Sequence, residues 1–530
     1  MATYTYPGVY IQETNTGNKP IEGVSTSIVG FLGIAERGPV IATFITSYAD
    51  FVRSFGSYYT DSQSNQAYLA YAVEGFFLNG GQQCWVARVA SLKATPASVT
   101  TTVSGTSGSM TISAAGPGLY GKQIGYLISS TGVSGSNLFK LTVFYWSSAT
   151  DATTAVTAYN AAVSATNPNP PLSPAPTQVE VFDNLSAVPT SSTYYVGAVN
   201  GASDLVTVAS ATPGVPASTT AIAFLAGTAS DGTLPLVLAD FEGLVADPAN
   251  PLTTPSGLAA LAAVDDISLL CCPDENSQPK GQVAQLLTSL CENLMDRFAI
   301  LQSGPQEGKP SGVVPSAYSE YAAYYYPWLN VVDPTTNITT LIPPGGHIAG
   351  IYARSDQNEN VAKDPANEQI VGIDSLQLPI DNGTQGILNP IGVNCLRYFK
   401  GQGNLVWGGR TTSPDPDWKY INVRRLFIYV EKSIQQGTQW VVFEPNSSPT
   451  WARVIRSVSD FLTGLWMQDM LQGATKEQAF FVRCDMTTMT QADIDNGRLI
   501  VVVGIAPVKP AEFVIFQIGQ WTGGSSVTES

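Results

Sequence analysis

Histidine is almost absent from this chain: His347 stands alone among 530 residues. One imidazole leaves little from which to build a zinc site, and cysteine does not make good the shortage. The six cysteines, Cys84, Cys271, Cys272, Cys291, Cys395 and Cys484, contain no C-x-x-C pair. Nearly all sit inside apolar runs such as Leu269-Leu270-Cys271-Cys272-Pro273, where a reduced thiol behaves as a small hydrophobe. Charge is scarce as well. Only 12% of residues are charged, about half the usual globular share, and Ser, Thr, Asn, Gln, Gly and Pro take their place. A surface so thinly charged repels its own copies weakly, which favours association.

Basic residues are the scarcer sign, 25 Lys and Arg against 41 Asp and Glu, for a net charge of −16. Phosphate backbones are gripped by clustered Lys and Arg, so nucleic acid is not an expected partner. The same deficit argues against an anionic membrane surface. No apolar run reaches the ~18 residues of a spanning helix, so no membrane insertion is expected. The opening Met1-Ala2-Thr3-Tyr4 lacks a basic region followed by an apolar stretch, so no signal peptide is read and a cytoplasmic protein is expected.

Catalytic machinery is equally thin. His347 lies in Pro343-Pro344-Gly345-Gly346-His347-Ile348-Ala349-Gly350, which reads as a turn leading into a strand. No serine occupies a Gly-x-Ser-x-Gly elbow for it to serve, so a packing or turn-binding role is expected of it. Gly116-Pro117-Gly118-Leu119-Tyr120-Gly121 matches G-x-G-x-x-G, but Gln123 to Ile128 reads as a strand where a dinucleotide fold needs a helix, and no acid follows until Asp151. Asp415 and Asp417 sit in the Pro-rich turn Ser413-Pro414-Asp415-Pro416-Asp417-Trp418, a solvated turn rather than a glycosidase pair. We therefore expect no catalytic residue, no metal ligand and no cofactor.

What the chain has is apolar patterning, with 44% hydrophobic residues over a length that suits two to four domains. Ser27 to Ile34 is a strand-length apolar run, Gln66 to Asn79 has helical spacing closed by Gly80-Gly81, and Cys84 to Val89 is a second strand. Strand, helix and strand of continuous apolar character predict a buried parallel pair. From Asp266 to Cys272 the pattern resumes as a strand, followed by a helix from Lys280 to Phe298 and the strand Ala299-Ile300-Leu301. Between the two halves the chain is rich in Ser, Thr, Ala, Gly and Pro, with half-buried strands such as Phe139 to Tyr145. Towards the end, Val423 to Ile434 reads as a helix and Gln439 to Phe443 as a strand. Ser447-Ser448-Pro449 opens a further helix with the apolar stripe Trp451, Val454, Ile455, Val458, Phe461, Leu462 and Leu465. Phe480 to Cys484 and Leu499 to Val503 read as strands.

Both ends carry short adhesive strands. Tyr6, Val9, Tyr10 and Ile11 belong to the first, and Phe513, Val514, Ile515, Phe516 and Ile518 to the last. An apolar strand at a chain end needs a sheet edge, which a second copy can supply by β-augmentation.

These segments resemble the contractile tail sheath family of phage tails and related contractile injection systems. Tyr6-Pro7-Gly8-Val9-Tyr10-Ile11-Gln12-Glu13 is similar to the family's opening strand, and Gly30 to Pro39 to its first core strand and turn. Phe77 to Val89 is similar to its helix-to-strand step. Pro343 to Asp356 and Lys363-Asp364-Pro365-Ala366-Asn367 resemble further signatures, although a tryptophan often found near the latter is absent. The strongest block runs from Asn389 to Gln520 and includes Trp407-Gly408-Gly409-Arg410-Thr411 and Tyr420-Ile421-Asn422-Val423-Arg424-Arg425. The resemblance covers residues 1–95 and 255–522, and Gly116 to Ile128 looks like the start of the family's outward-facing insertion.

The resemblance implies an α/β (α+β) sheath core built from N- and C-terminal segments, with an inserted mostly-β outer domain. It divides the chain into a linker strand (1–25), core (26–95), outer domain (96–250), core again (255–400) and C-terminal domain with a second linker strand (401–530). It implies a structural subunit, not an enzyme, that polymerises as stacked hexameric rings around an inner tube and contracts to drive that tube through a target envelope. Its partners would be other copies of itself, the inner tube protein, and the baseplate and tail-terminator or cap proteins. The terminal strands would be exchanged between subunits, and Arg453, Arg456 and Asp469, off the apolar stripe of the helix from Trp451 to Leu471, would face the tube. Residue patterns alone leave room for another lattice former, a capsid or surface layer, or for a carbohydrate-active α/β enzyme.

Overall fold

Val29-Gly30-Phe31-Leu32-Gly33 has no polar residue to turn towards water, and it forms the strand β1, buried at every position. That pattern suits a strand covered on both faces, as in a parallel sheet. In the computed structural model, which describes residues 20–60, 65–103, 109–130, 137–164, 167, 169–211, 213–247, 249–250, 254–279, 281–305 and 312–515, β1 lies in a nine-stranded sheet. Its other strands are β2 (Thr43–Ile45), β3 (Cys84–Arg88), β4 (Leu269–Cys271), β5 (Phe298–Gln302), β6 (Ala322–Tyr326), β7 (Glu368–Gln369), β8 (Val393–Phe399) and β9 (Gly403–Trp407). The spatial order is β7-β9-β8-β6-β5-β4-β1-β3-β2. The run from β3 to β8 is parallel throughout, and β2, β9 and β7 are antiparallel additions at the two edges. The expected parallel pairing of β1 and β3 is present, in register from Val29 opposite Cys84 to Gly33 opposite Arg88.

Six helices matter below: α1 (Tyr48–Phe55), α2 (Leu69–Leu78), α3 (Gln282–Leu294), α4 (Gly345–Asn358), α5 (Ile421–Gly437) and α6 (Ser448–Met467). α2 and α4 lie side by side on one face of the sheet, closer than ordinary side chains allow. A Cβ on Gly346 would lie 2.2 Å from the carbonyl oxygen of Ala72, one on Gly350 2.4 Å from that of Phe76, and one on Gly75 2.3 Å from the His347 ring. These glycines correct the turn-and-strand expectation for Pro343 to Gly350. Glycine is a poor helix former in isolation, but here it is what permits α4 to approach α2. His347 is a packing residue, and burial lowers its pKa to about 4.

Residues 97–229 carry their own cores. Ser98–Thr102, Ser109–Ala114 and Val206–Ser210 form one antiparallel sheet; Ile124–Ser130, Leu138–Tyr145, Gln178–Ser186 and Ala223–Phe224 form another. Ile112, Ile124, Leu141 and Tyr195 fill the space between them, and the helix Ala149–Ala162 packs beside Trp146 and Phe144. The G-x-G-x-x-G segment leads through a short 3-10 turn, Leu119–Gln123, into a strand, as read. This unit meets the main sheet through polar contacts. Tyr145 donates to Glu36 at 2.5 Å, Arg37 to Gln178 at 2.6 Å, and Arg53 and Ser54 both donate to Asp204 at 2.6 and 2.7 Å.

Three further expectations are corrected. Gln439 to Phe443 forms no strand: Gln439–Val441 is a 3-10 turn, and Phe443 beyond it is fully exposed with φ of 68°. Strand propensity is realised only beside a partner strand, and this segment merely connects α5 to α6. α3 ends at Leu294, where Met295 takes a left-handed conformation and frees Phe298 to enter β5. α6 ends at Met467, short of the expected Leu471. All six cysteines are buried and unpaired, as their apolar settings imply.

Gly346→Ala is expected to lower stability by about 3 kcal/mol, because the backbone of α2 must move to admit one methyl group. Gly464→Ala, on α6 where an added Cβ meets nothing within 4 Å, is expected to raise it by up to about 1 kcal/mol. Urea unfolding of the purified protein reads both.

Candidate functional site

The C-terminal module is built on α5 and α6. Val454, Val458, Leu462 and Leu465 of α6 pack against Leu426 and Val430 of α5, so the apolar stripe read from the sequence is the buried face. Beside them lies a two-stranded antiparallel sheet, β10 (Phe480–Arg483) and β11 (Val502–Ile505), registered from Phe480 opposite Ile505 to Arg483 opposite Val502. Phe480, Val482, Val503 and Ile505 pack on the helices, while Phe481 and Val502 remain exposed. A lone pair of strands is marginal by itself. Among the described residues neither β10 nor β11 has a second strand neighbour, so each presents an outer edge suited to pairing with another chain.

The first and last described stretches of the chain are both bonded to this module. On the incoming side, Val24 N–H donates to Ser433 Oγ at 3.1 Å, and Arg425 donates to the Thr26 carbonyl at 3.0 Å. Ile21 joins the module's core, and Gly23 passes so close to Tyr429 that an added Cβ would lie 2.0 Å from the phenol oxygen. On the outgoing side, Gln472 N–H donates to Ala506 and Asn422 Nδ2 to the Val508 carbonyl, at 2.8 and 2.9 Å. Ser433, Arg425 and Asn422 are all residues of α5.

The outgoing chain is then clamped at Glu512. Arg410 reaches its two oxygens with Nε and Nη2, at 2.7 and 2.8 Å, a bidentate fork. Asn389 and Tyr420 donate at 2.6 and 3.2 Å, and Lys419 pairs at 3.3 Å. Burial opposes ionisation of this carboxyl, but the hydrogen bonds of Arg410 and Asn389 and the charges of Arg410 and Lys419 outweigh it and hold the pKa down at about 2. Immediately beyond the clamp, Phe513, Val514 and Ile515 are 71%, 69% and 81% exposed and, among the described residues, pair with no strand. The clamp borders a groove of about 920 Å³ whose floor includes Asp364, pushed up to about 8 by burial. The remaining linker residues, Phe516 and Ile518 at one end and Tyr6, Val9, Tyr10 and Ile11 at the other, lie outside the described residues.

The residues expected to face a tube separate into two groups. Arg453 and Arg456 lie on the exposed side of α6. Arg453 pairs with Glu444 at 2.7 Å and lies over the Trp440 ring at 5.1 Å. Asp469 is exposed but falls beyond the end of the helix, with φ of 57°, because the helix stops at Met467. Among the described residues no three His, Cys, Asp or Glu side chains gather as a metal site. Sequence reading missed the Glu512 clamp; a single acid preceding an apolar run in a charge-poor tail was the available signal.

Comparison with known proteins bears on the same region. Residues 250–412 match the model of the phage tail sheath protein central domain, and residues 413–520 that of the phage tail sheath C-terminal domain, together more than half of the chain. The tail sheath protein of Vibrio phage KVP40 is 29% identical over 177 residues, 33% of this chain and 26% of that protein. A putative prophage major tail sheath protein of Pseudomonas aeruginosa is 26% identical over 267 residues, 48% of this chain and 65% of that protein. The chain thus spans a quarter of the first relative's length and just under two thirds of the second's. In fold it is similar to the contracted sheath complex of the extracellular contractile injection system PVC, with a TM-score of 0.57 at 23% identity over 98% of this chain and 99% of that one. It is also similar to the contracted helical sheath of the anti-feeding prophage, with a TM-score of 0.54 at 22% identity over 98% and 100%.

A depressed carboxyl pKa stabilises the clamp above its unfolded value of 4.5, and that contribution is lost as pH falls towards about 2. Glu512→Gln is therefore expected to speed amide exchange of residues 508–515 at pH 7. The difference from the unmodified protein should vanish as pH approaches 2, read by hydrogen exchange with mass spectrometry.

Proposed function

The chain belongs to the phage tail sheath family, and on that footing we propose that it is the sheath subunit of a contractile tail or tail-like injection particle, a structural protein rather than an enzyme. Subunits stack as hexameric rings around an inner tube, each ring tied to the next by exchanged terminal strands. The observation that carries this reading is the convergence of both chain ends on α5, beside a two-stranded sheet with open edges. A chain that enters and leaves through one module can reach neighbours on two sides while its core turns as a body. Head-to-tail contacts that do not close on themselves give helical tubes.

The energetics suit a mesh. An added strand makes about four backbone hydrogen bonds worth ~1 kcal/mol each net, with apolar burial from residues such as Phe513 and Ile515. One link is modest, and a lattice repeats it. The Glu512 clamp fixes where the outgoing strand leaves its own subunit, so the remainder moves with the neighbour that receives it. Contraction releases energy stored in a metastable assembly held by a kinetic barrier, with no cofactor consumed. The 97–229 unit faces outward, away from the tube, and Arg453 and Arg456 on α6 face the tube protein. Baseplate and terminator proteins close the two ends. This reading favours a sheath over a capsid, a surface layer or a carbohydrate-active enzyme.

Deletion of residues 1–12 is expected to leave a folded subunit that forms no tubes, read by circular dichroism and negative-stain microscopy; full-length sheaths from the truncated chain would sink strand exchange. Arg453→Glu with Arg456→Glu is expected to leave folding within about 0.5 kcal/mol, as for exposed charges. The same pair should abolish co-assembly with the tube protein, and normal assembly would refute the tube-facing assignment.

A further inference from the structure

The large sheet reverses its winding at β1. From β1 the chain crosses to β3 on one side, and when it returns as β4 it pairs on the other side of β1 and continues outward through β5, β6 and β8. In open α/β sheets the crevice outside the carboxyl ends of the strands at such a reversal is the preferred place for a ligand. A cavity of about 730 Å³ lies there, within the size range of small-molecule sites. Ile34 and Ala35 follow β1 into its wall, Arg88 ends β3, and Pro273 and Asp274 follow β4.

The chemistry of the wall selects the ligand. Arg88 is 7% exposed, and among the described residues no carboxylate lies within ion-pair distance of it. Its Nε and Nη1 donate to the carbonyls of Ala35, Gly38 and Pro117 at 3.2, 3.1 and 2.8 Å, and Nη2 has no part in these bonds. The Tyr120 ring, 5.5 Å from the guanidinium, and the Asp231 carboxylate, beyond ion-pair distance, offset the desolvation of this cation in part, and a guanidinium fork is matched by a carboxylate or phosphate. The acids on the same wall are otherwise engaged. Asp274 accepts from Ile34 N–H and Tyr68 N–H at 2.7 and 2.8 Å, and burial pushes its pKa up to about 7. Asp231 accepts from Leu119 N–H at 2.7 Å. The half-buried Tyr68 ring gives the wall an apolar surface, backed edge to face at 5.3 Å by the buried Trp328. Asn276 and Gln278 donate to the carbonyls of Ser303 and Leu236, which leaves their amide oxygens as acceptors for ligand hydroxyls.

We propose that this cavity binds a small organic anion with a ring and hydroxyl groups, its carboxylate or phosphate set against Arg88. Pro117, Gly118 and Asp231 come from the segment between β3 and β4, so a bound ligand braces that segment against the large sheet. The proposal does not depend on the sheath assignment. Calorimetric titration and thermal melting of the purified subunit test it, with adenosine 5′-monophosphate, citrate and inorganic phosphate as probes. One site per subunit is expected for at least one of the two organic anions, with a melting temperature that rises with its concentration. Inorganic phosphate, which has no ring to set against Tyr68, is expected to bind more weakly. Arg88→Met is expected to weaken the organic anion about tenfold or more, with Arg88→Lys between the two. Where Arg88→Met does not fold, Ala90→Phe fills the cavity while keeping the arginine and is expected to abolish binding. Absence of heat and of any melting shift with all three probes overturns the proposal, as does unchanged affinity in a folded Arg88→Met protein. Phosphate binding as tight as that of the organic anions overturns the assignment of an organic ligand.

Discussion

The contact between α2 and α4 governs the placement of much else in the structure. Gly75, Gly346 and Gly350 bring the two helices to a separation at which backbone meets backbone, and from there α4 extends to Ser355 and Asp356. Asp356 meets Arg425 of α5 at 2.6 Å, with both side chains nearly inaccessible, and also accepts from the Thr26 hydroxyl at 2.6 Å. A buried ion pair adds little net stability, but breaking one leaves an uncompensated charge, so it acts chiefly to fix position. The pair seats α5, and α5 holds the incoming chain at Val24 and Thr26 and the outgoing chain at Val508. A close helix contact in the interior thus helps to set where the first and last described stretches of the chain run.

The thin charge of the chain takes on meaning beside that arrangement. The exposed apolar residues that end the described chain, Phe513, Val514 and Ile515, follow a clamp of four residues, Arg410, Asn389, Tyr420 and Lys419, on Glu512. The contrast is one of environment: a charged residue held by its partners, then an apolar stretch exposed to water. The seam between the large sheet and residues 97–229 is different again. Its contacts are tyrosine to glutamate and arginine to aspartate or glutamine rather than shared apolar core, so each body keeps its own interior. In the proposed lattice, this division lets the unit be carried on the core without contributing to its packing.

A sheet of doubly wound character usually advertises an enzyme or a nucleotide site, and fold by itself does not decide function. Here the sheet serves as a scaffold for the C-terminal module, while its switch-point crevice holds a cavity and a buried arginine with no carboxylate at ion-pair distance among the described residues. The two features lie in different parts of the molecule. The crevice is bounded by loops after β1, β3 and β4, and the proposed assembly surfaces are carried by α5, α6, β10 and β11.

The amino-acid sequence by itself determined the elements whose partners are near in the chain or whose periodicity is unambiguous. β1, α2 and β3 were legible because continuous apolar runs of strand length flank a helical repeat, and the buried stripe of α6 because seven apolar residues recur at helical spacing. Tertiary structure decided the rest. Gly345 to Gly350 is a helix because α2 lies against it, although its composition reads as a turn. Gln439 to Phe443 is a turn because no strand lies beside it, although its composition reads as a strand. Arg410 and Glu512 are separated by about a hundred residues, and nothing local marks them as partners until the fold brings them together. Periodicity records which face of an element is apolar; the identity of the surface that covers that face, and the closeness of its approach, are properties of the packed chain.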